Sequence, residues 1–202
     1  MPGSASLITY ALVLVLLIAV IVVTTLVLRR QRYSAWRQFA RDHNLQFRRR
    51  PRLRVAGRVR DRNFELGVSD SSSDTGVLGV EEVAMGVQLH GHVPKGLELV
   101  QVAPALAEIG AALRDDTVTT GDEEFDHTYV VRAEDGNAAI EYFDDQRRAA
   151  LVQLARDADF LVAIRQGYLL AESREMVTVR ERLDAWFERL LEAAPKLDAA
   201  PR

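Results

Sequence analysis

Residues 7–28 read LITYALVLVLLIAVIVVTTLVL, from Leu7 to Leu28, and their reading decides the architecture. Not one of these 22 residues is charged, and sixteen are Leu, Ile or Val. At about 1.5 Å per residue a helix of this length spans roughly 33 Å, enough for a hydrocarbon core of ~30 Å. At about −0.3 to −0.6 kcal/mol each on an insertion scale, the aliphatic residues favour the bilayer by roughly 5–10 kcal/mol as an upper value. β-Branched residues disfavour a helix in water, but in lipid a helix is how a lone segment satisfies its backbone polar groups. A cleaved signal peptide needs a basic start, a shorter apolar run and a small-residue cleavage site. Residues 1–6 carry no basic side chain, and the run ends on Arg29-Arg30. The segment is therefore expected to be an uncleaved transmembrane anchor, preceded by a short extracytoplasmic tail, residues 1–6.

Outward from the span the charge is strongly asymmetric. Residues 29–60 hold twelve arginines and one acid, Asp42. Residues 61–202 hold 28 acids against 14 bases, a net −14. A basic collar beside the membrane thus precedes an acidic domain, a split that points to a membrane or polyanion contact at the basic end. Arg29, Arg30, Arg32, Arg37 and Arg41 all lie within fifteen residues of the span. Loops rich in arginine and lysine next to a span stay in the cytoplasm. The expected topology is N-terminus out, C-terminal domain in, at the inner membrane.

Residues 31–44, QRYSAWRQFARDHN, carry Tyr33, Trp36, Phe39 or Ala40, and His43 at helical spacing. This predicts a helix, separate or continuing the span, with Asn44 as a left-handed C-cap. Its aromatics admit two readings. They lie at headgroup depth, with Arg29, Arg30, Arg32, Trp36 and Arg37 as lipid contacts, or Trp36 and Phe39 pack on the soluble domain. Residues 29–52 form the juxtamembrane helix and linker, 53–195 the soluble domain, and 196–202 a frayed tail. A nucleic-acid reading of the collar fails for want of an aromatic RNA-binding motif or a helix-turn-helix pattern, and the attached domain is acidic.

From Leu53 the period becomes two. Val55, Gly57 and Val59 alternate with arginines, and Phe64, Leu66 and Val68 follow across a turn at Asp61-Arg62-Asn63. DSSSDTG, residues 70–76, is a loop without the Gly-Lys-Ser/Thr of a phosphate loop. Val83, Met85, Val87 and Leu89 mark another strand, residues 97–102 a short one, and residues 104–113 a helix. Residues 129–133 form a strand. Asp135 caps a helix to about Phe143, and a second helix covers residues 147–155 after a break at Asp144-Asp145. A hairpin turns at Gln166-Gly167. The last helix covers residues 178–194, with Val179, Leu183, Trp186, Phe187, Leu190 and Leu191 on its apolar side and Pro195 ending it. Strands joined by tight turns with helices inserted late predict an α+β domain, a mainly antiparallel sheet packed with helices.

Few residues suggest chemistry. The chain has no cysteine, which excludes disulfides and thiolate sites. His90 and His92, two apart in a strand, would share a face and could reach one metal ion. A third ligand would come from Asp70, Asp74, His127 or another residue distant in sequence. Asp122, Glu123, Glu124, Asp126 and His127 form an acidic cluster that lacks calcium-loop spacing and reads as a solvated turn. No Gly-x-Ser-x-Gly elbow is present, and Ser71 to Ser73 sit in the 70–76 loop.

The stretch TTGDEEFDHTYVV, residues 119–131, followed by a helix pair and the hairpin DFLVAIRQGYLLAES, resembles uncharacterised bacterial single-pass membrane-anchored proteins. Their Gly-Asp…Phe-Asp-x-x-aromatic/apolar-Val signature would fall on Gly121, Asp122, Phe125, Asp126, Tyr129 and Val131. The resemblance implies a membrane-tethered α+β domain and carries no catalytic residues. The residues themselves read as structural, with Phe125 buried and Asp126 bonding nearby backbone amides. The expected function is a non-catalytic cytoplasmic module, without a cofactor, that binds the bilayer's anionic lipid or a protein partner and no nucleic acid. The alternative is a membrane-tethered metal-dependent hydrolase using His90 and His92.

Overall fold

The computed structural model describes residues 3–50, 52–70, 81–102, 117–173, 175 and 177–198. The expected 104–113 helix, Asp74, Ser71 to Ser73 and residues 199–202 lie outside them. The collar helix is continuous with the span: one helix, α1, runs Gly3–Asp42. Its apolar side chains from Leu12 to Leu28 are exposed, and it is long and apolar enough to cross a membrane, with a mean hydropathy of 2.9 in its most apolar stretch. It ends in a left-handed cap. Asn44 takes φ 55°, its N–H bonds Arg41 O at 3.3 Å, and the Leu45 N–H bonds Ala40 O at 2.7 Å. That pair of bonds satisfies two carbonyls the helix end leaves open and turns the chain back along α1.

The returning chain builds an eight-stranded antiparallel sheet. Its strands are β1 (Gln46–Arg48), β2 (Arg54–Val59), β3 (Arg62–Asp70), β4 (Glu81–Gln88), β5 (Glu98–Gln101), β6 (Tyr129–Arg132), β7 (Leu161–Arg165) and β8 (Tyr168–Ser173). The order is β1-β2-β3-β4-β8-β7-β5-β6. Two hairpins close through pairs with positive φ, Arg60-Asp61 and Gln166-Gly167, the geometry that matches strand twist in two-residue turns. The first turn therefore sits one residue earlier than Asp61-Arg62-Asn63, and Arg62 and Asn63 pair in β3.

The period-two pattern puts Val55, Phe64, Leu66, Val83, Met85, Val87, Leu169 and Ala171 on one face, all buried. Helices cover that face: the second half of α1, α2 (Glu123–Thr128), α3 (Gly136–Tyr142), α4 (Asp145–Asp157) and α5 (Arg180–Asp198). Asp122, Asp135 and Asp144 cap α2, α3 and α4 by accepting amide hydrogen bonds, so the predicted acidic turn is a capped helical turn. The core runs on into α1. Trp36 and Phe39 are fully buried, Phe39 stacks at 5.9 Å from Phe64 and 5.4 Å from Phe187, and Trp36 Nε1 donates to Val177 O at 3.2 Å.

Two expectations need correction. Pro195 does not end α5; the helix continues to Asp198, and Leu197 is fully buried. Proline removes one backbone donor inside a helix, but the last turn is held by side chains. Arg147 Nε donates to Leu197 O at 2.8 Å, and Arg62 ion-pairs with Asp198. Val179 lies before the helix and is exposed.

Candidate functional site

Three places were singled out by sequence, and the structure treats them differently. His90 and His92 do not share a strand face, because β4 ends at Gln88. Both are exposed, and the loop is pinned by its backbone: the His90 and Gly91 amides donate to Asp198 Oδ1 at 2.8 and 2.9 Å. Among the described residues no three histidine, aspartate or glutamate side chains gather to hold a metal.

The acidic cluster serves the fold. Asp126 accepts from the Thr120 amide and hydroxyl at 3.0 and 2.9 Å and from the Gly121 amide at 3.0 Å. Asp122 caps the Phe125 amide at 3.1 Å and ion-pairs with Arg148 at 3.2 Å. Glu124 pairs with Arg156, Phe125 is fully buried, and Glu123 and His127 are exposed.

The collar is where sequence and structure converge. Arg29, Arg30 and Arg37 are exposed along α1, and Arg32 is half-buried. Trp36 is not a lipid contact: its ring is in the domain core, so of the two readings of the aromatics the packing one holds. The chain then comes back toward the span. Phe47 meets Tyr33 edge-on at 5.0 Å, and the Arg49 guanidinium lies 5.1 Å from the Tyr33 ring centre. Tyr33 is five residues past Leu28, about 7–8 Å along the helix axis. The Arg48 end of β1 therefore lies at the end of the domain nearest the span.

Register carries that end across the sheet. Arg48 pairs with Arg54, Arg54 with Gly67, Gly67 with Ala84 and Ala84 with Glu172. These residues alternate with the buried set and so occupy the face without the core helices. There they line a groove of about 670 Å³. Its floor is low because Gly67, Ala84 and Gly86 carry little or no side chain; a Cβ on Gly67 would meet nothing within 4 Å. Leu170 and Tyr168 fold over Gly86, where a Cβ would come within 2.7 Å of Leu170 Cδ2. Arg48, Arg50, Arg52 and Arg54 line the span-side end, and Arg165 and Gln166 the far end. Arg54 pairs with Glu65, and Arg165 with Glu172 at 2.5 Å. Among the described lining residues five arginines stand against two glutamates, and four of the arginines are at the span-side end.

Groups with shifted pKa lie elsewhere. Burial pushes the Tyr142 hydroxyl up to about 12 and raises Tyr129, whose hydroxyl donates to Leu151 O at 2.7 Å. Partial burial raises Asp159, but hydrogen bonds from Trp186 and Arg182 and the Arg182 charge outweigh it and hold the carboxyl below its usual range. All three are explained by packing on helices rather than by a reaction centre.

The fold and this face define a class: an antiparallel α+β domain built onto the C-terminal half of a helix long and apolar enough to cross a membrane. No protein-family model matches the chain, and no curated protein matches it either. Among solved structures, the chain is similar in fold to the mycobacterial trehalose monomycolate transport factor A, TtfA, with a TM-score of 0.51. Identity is 11%, and the match covers 86% of this chain and 99% of that one.

Proposed function

We propose that this chain is a membrane-anchored, non-catalytic module, held on the cytoplasmic face of the inner membrane, that binds anionic lipid or a protein partner there. The observation that carries the reading is the continuity of α1, whose outer half is bare apolar surface and whose inner half is domain core. That continuity fixes the arginine-rich end of the sheet about one to two helical turns beyond the span. Arg29, Arg30, Arg32 and Arg37 then lie at headgroup level, where each arginine near an anionic surface contributes roughly 1 kcal/mol. TtfA is by name a transport factor, which accords with a module that works at a membrane. Membership in the bacterial membrane-anchored proteins with the Gly-Asp…Phe-Asp signature belongs to the same proposal.

The orientation is testable on intact spheroplasts. Protease added outside is expected to leave the domain whole, and protease added after lysis to degrade it. Digestion of the domain in unbroken spheroplasts would overturn the proposed side.

A further inference from the structure

We propose that the open-face groove binds the headgroup of an anionic phospholipid that stays in the leaflet beneath it. This rests on reading the chain as a membrane-anchored module. Three observations point to that occupant. The first is charge. Arg48, Arg50 and Arg52 join Arg54 at one end, and the two glutamates of the lining are already engaged by Arg54 and Arg165. Arginine's planar fork suits phosphate oxygens. The second is position. The Arg48 end adjoins Tyr33, about 7–8 Å along α1 from the last apolar residue of the span, the depth at which lipid phosphates lie. A phosphate can therefore reach these arginines without its lipid leaving the bilayer.

The third is shape. The groove does not stop at the arginines but continues over Gly67 and Gly86 toward Tyr168 and Gln166. Its volume of about 670 Å³ falls in the range of small-molecule sites. A headgroup whose phosphate sits at the span-side end would extend away from the membrane along this floor. Arg165, Gln166 and Tyr168 offer donors and acceptors to headgroup hydroxyls there. A polyol headgroup fits this arrangement, and a choline cation beside five arginines does not.

The probe is phosphatidylinositol, with phosphatidylcholine as the neutral control, added to the full chain in neutral detergent and counted by native mass spectrometry. The unaltered chain is expected to retain one phosphatidylinositol at least about tenfold more strongly than phosphatidylcholine. Gly67→Phe fills the groove from a position with open space and leaves every arginine in place. It is expected to lower retention by roughly tenfold or more, as is Arg48→Gln with Arg50→Gln, which serves if the Gly67 variant does not fold. Arg58→Gln, which removes an exposed arginine of β2 outside the groove lining, is expected to keep the bound lipid. Equal retention of the two lipids, full retention by folded Gly67→Phe, or loss in the Arg58→Gln variant overturns the site. Because micelles have no sidedness, a failure here is separate from a failure of the protease test.

Discussion

A fragment of residues 31–202, freed of the apolar span, is expected to fold cooperatively, and one beginning at Leu45 is expected not to. The shorter fragment corresponds to a domain boundary placed after the collar. It removes Trp36 and Phe39, both fully buried, together with Ala35 and Ala40. Truncating one buried aromatic costs about 3–5 kcal/mol, and a whole domain has a margin of about 5–15 kcal/mol. Losing both also uncovers Phe64, Phe187 and Leu45, which pack against α1. Phe39→Ala alone, in the longer fragment, is expected to lower stability by about 3–5 kcal/mol. Thermal and denaturant unfolding followed by circular dichroism measures both. A fragment starting at Leu45 that melts at the same midpoint as the longer one would contradict the shared core.

The second large effect is expected at the far end of the sheet. Arg62→Ala should destabilise by about 3–5 kcal/mol, because it strands a buried carboxylate. Asp198 has a side-chain exposure of 13% and faces the Arg62 guanidinium, itself 11% exposed. The same Arg62 donates to Gln88 O at 3.1 Å, so the substitution also leaves a carbonyl without its donor. Replacing both partners, Arg62→Ala with Asp198→Ala, is expected to cost less than the two single changes added together. Simple additivity in a denaturant-unfolding cycle would show that the pair does not interact.

These two regions mark where the sequence stops being readable. The span, the period-two strands and the caps at Asn44 and Asp135 are local signals, and each lies where its spacing puts it, whereas Asp144, expected only as a break between helices, is the N-cap of α4. The burial of Phe125 and the amide bonds of Asp126 follow from the same kind of signal. Trp36 was ambiguous because headgroup contact and core packing use the same helical spacing; only the return of the chain along α1 decides between them. The helix past Pro195 depends on Arg62 and Arg147, more than a hundred and about fifty residues away, respectively, which no window of sequence connects. The pairings of β4 with β8 and β5 with β7 are also distant, so the groove they help to shape was illegible. Its trace was the set of small residues, Gly67, Ala84 and Gly86, at outward positions of neighbouring strands. His90 and His92 do not share a strand face because β4 ends at Gln88, four residues short of His92.

The central claim is that one rigid helix joins bilayer and core and so holds the Arg48 end of the sheet at the headgroups. The chain has no cysteine of its own, so single spin labels can be placed at Arg48→Cys and Arg58→Cys. Arg58 lies four residues along β2 from Arg54, the partner of Arg48, about 13 Å further from the span. Depth is read from relaxation by lipid-soluble oxygen against a water-soluble nickel complex in anionic vesicles. The expected result is a label at position 48 near the phosphate plane and a label at position 58 in bulk water. Equal depths at the two positions, or position 58 lying nearer the bilayer, would contradict the account.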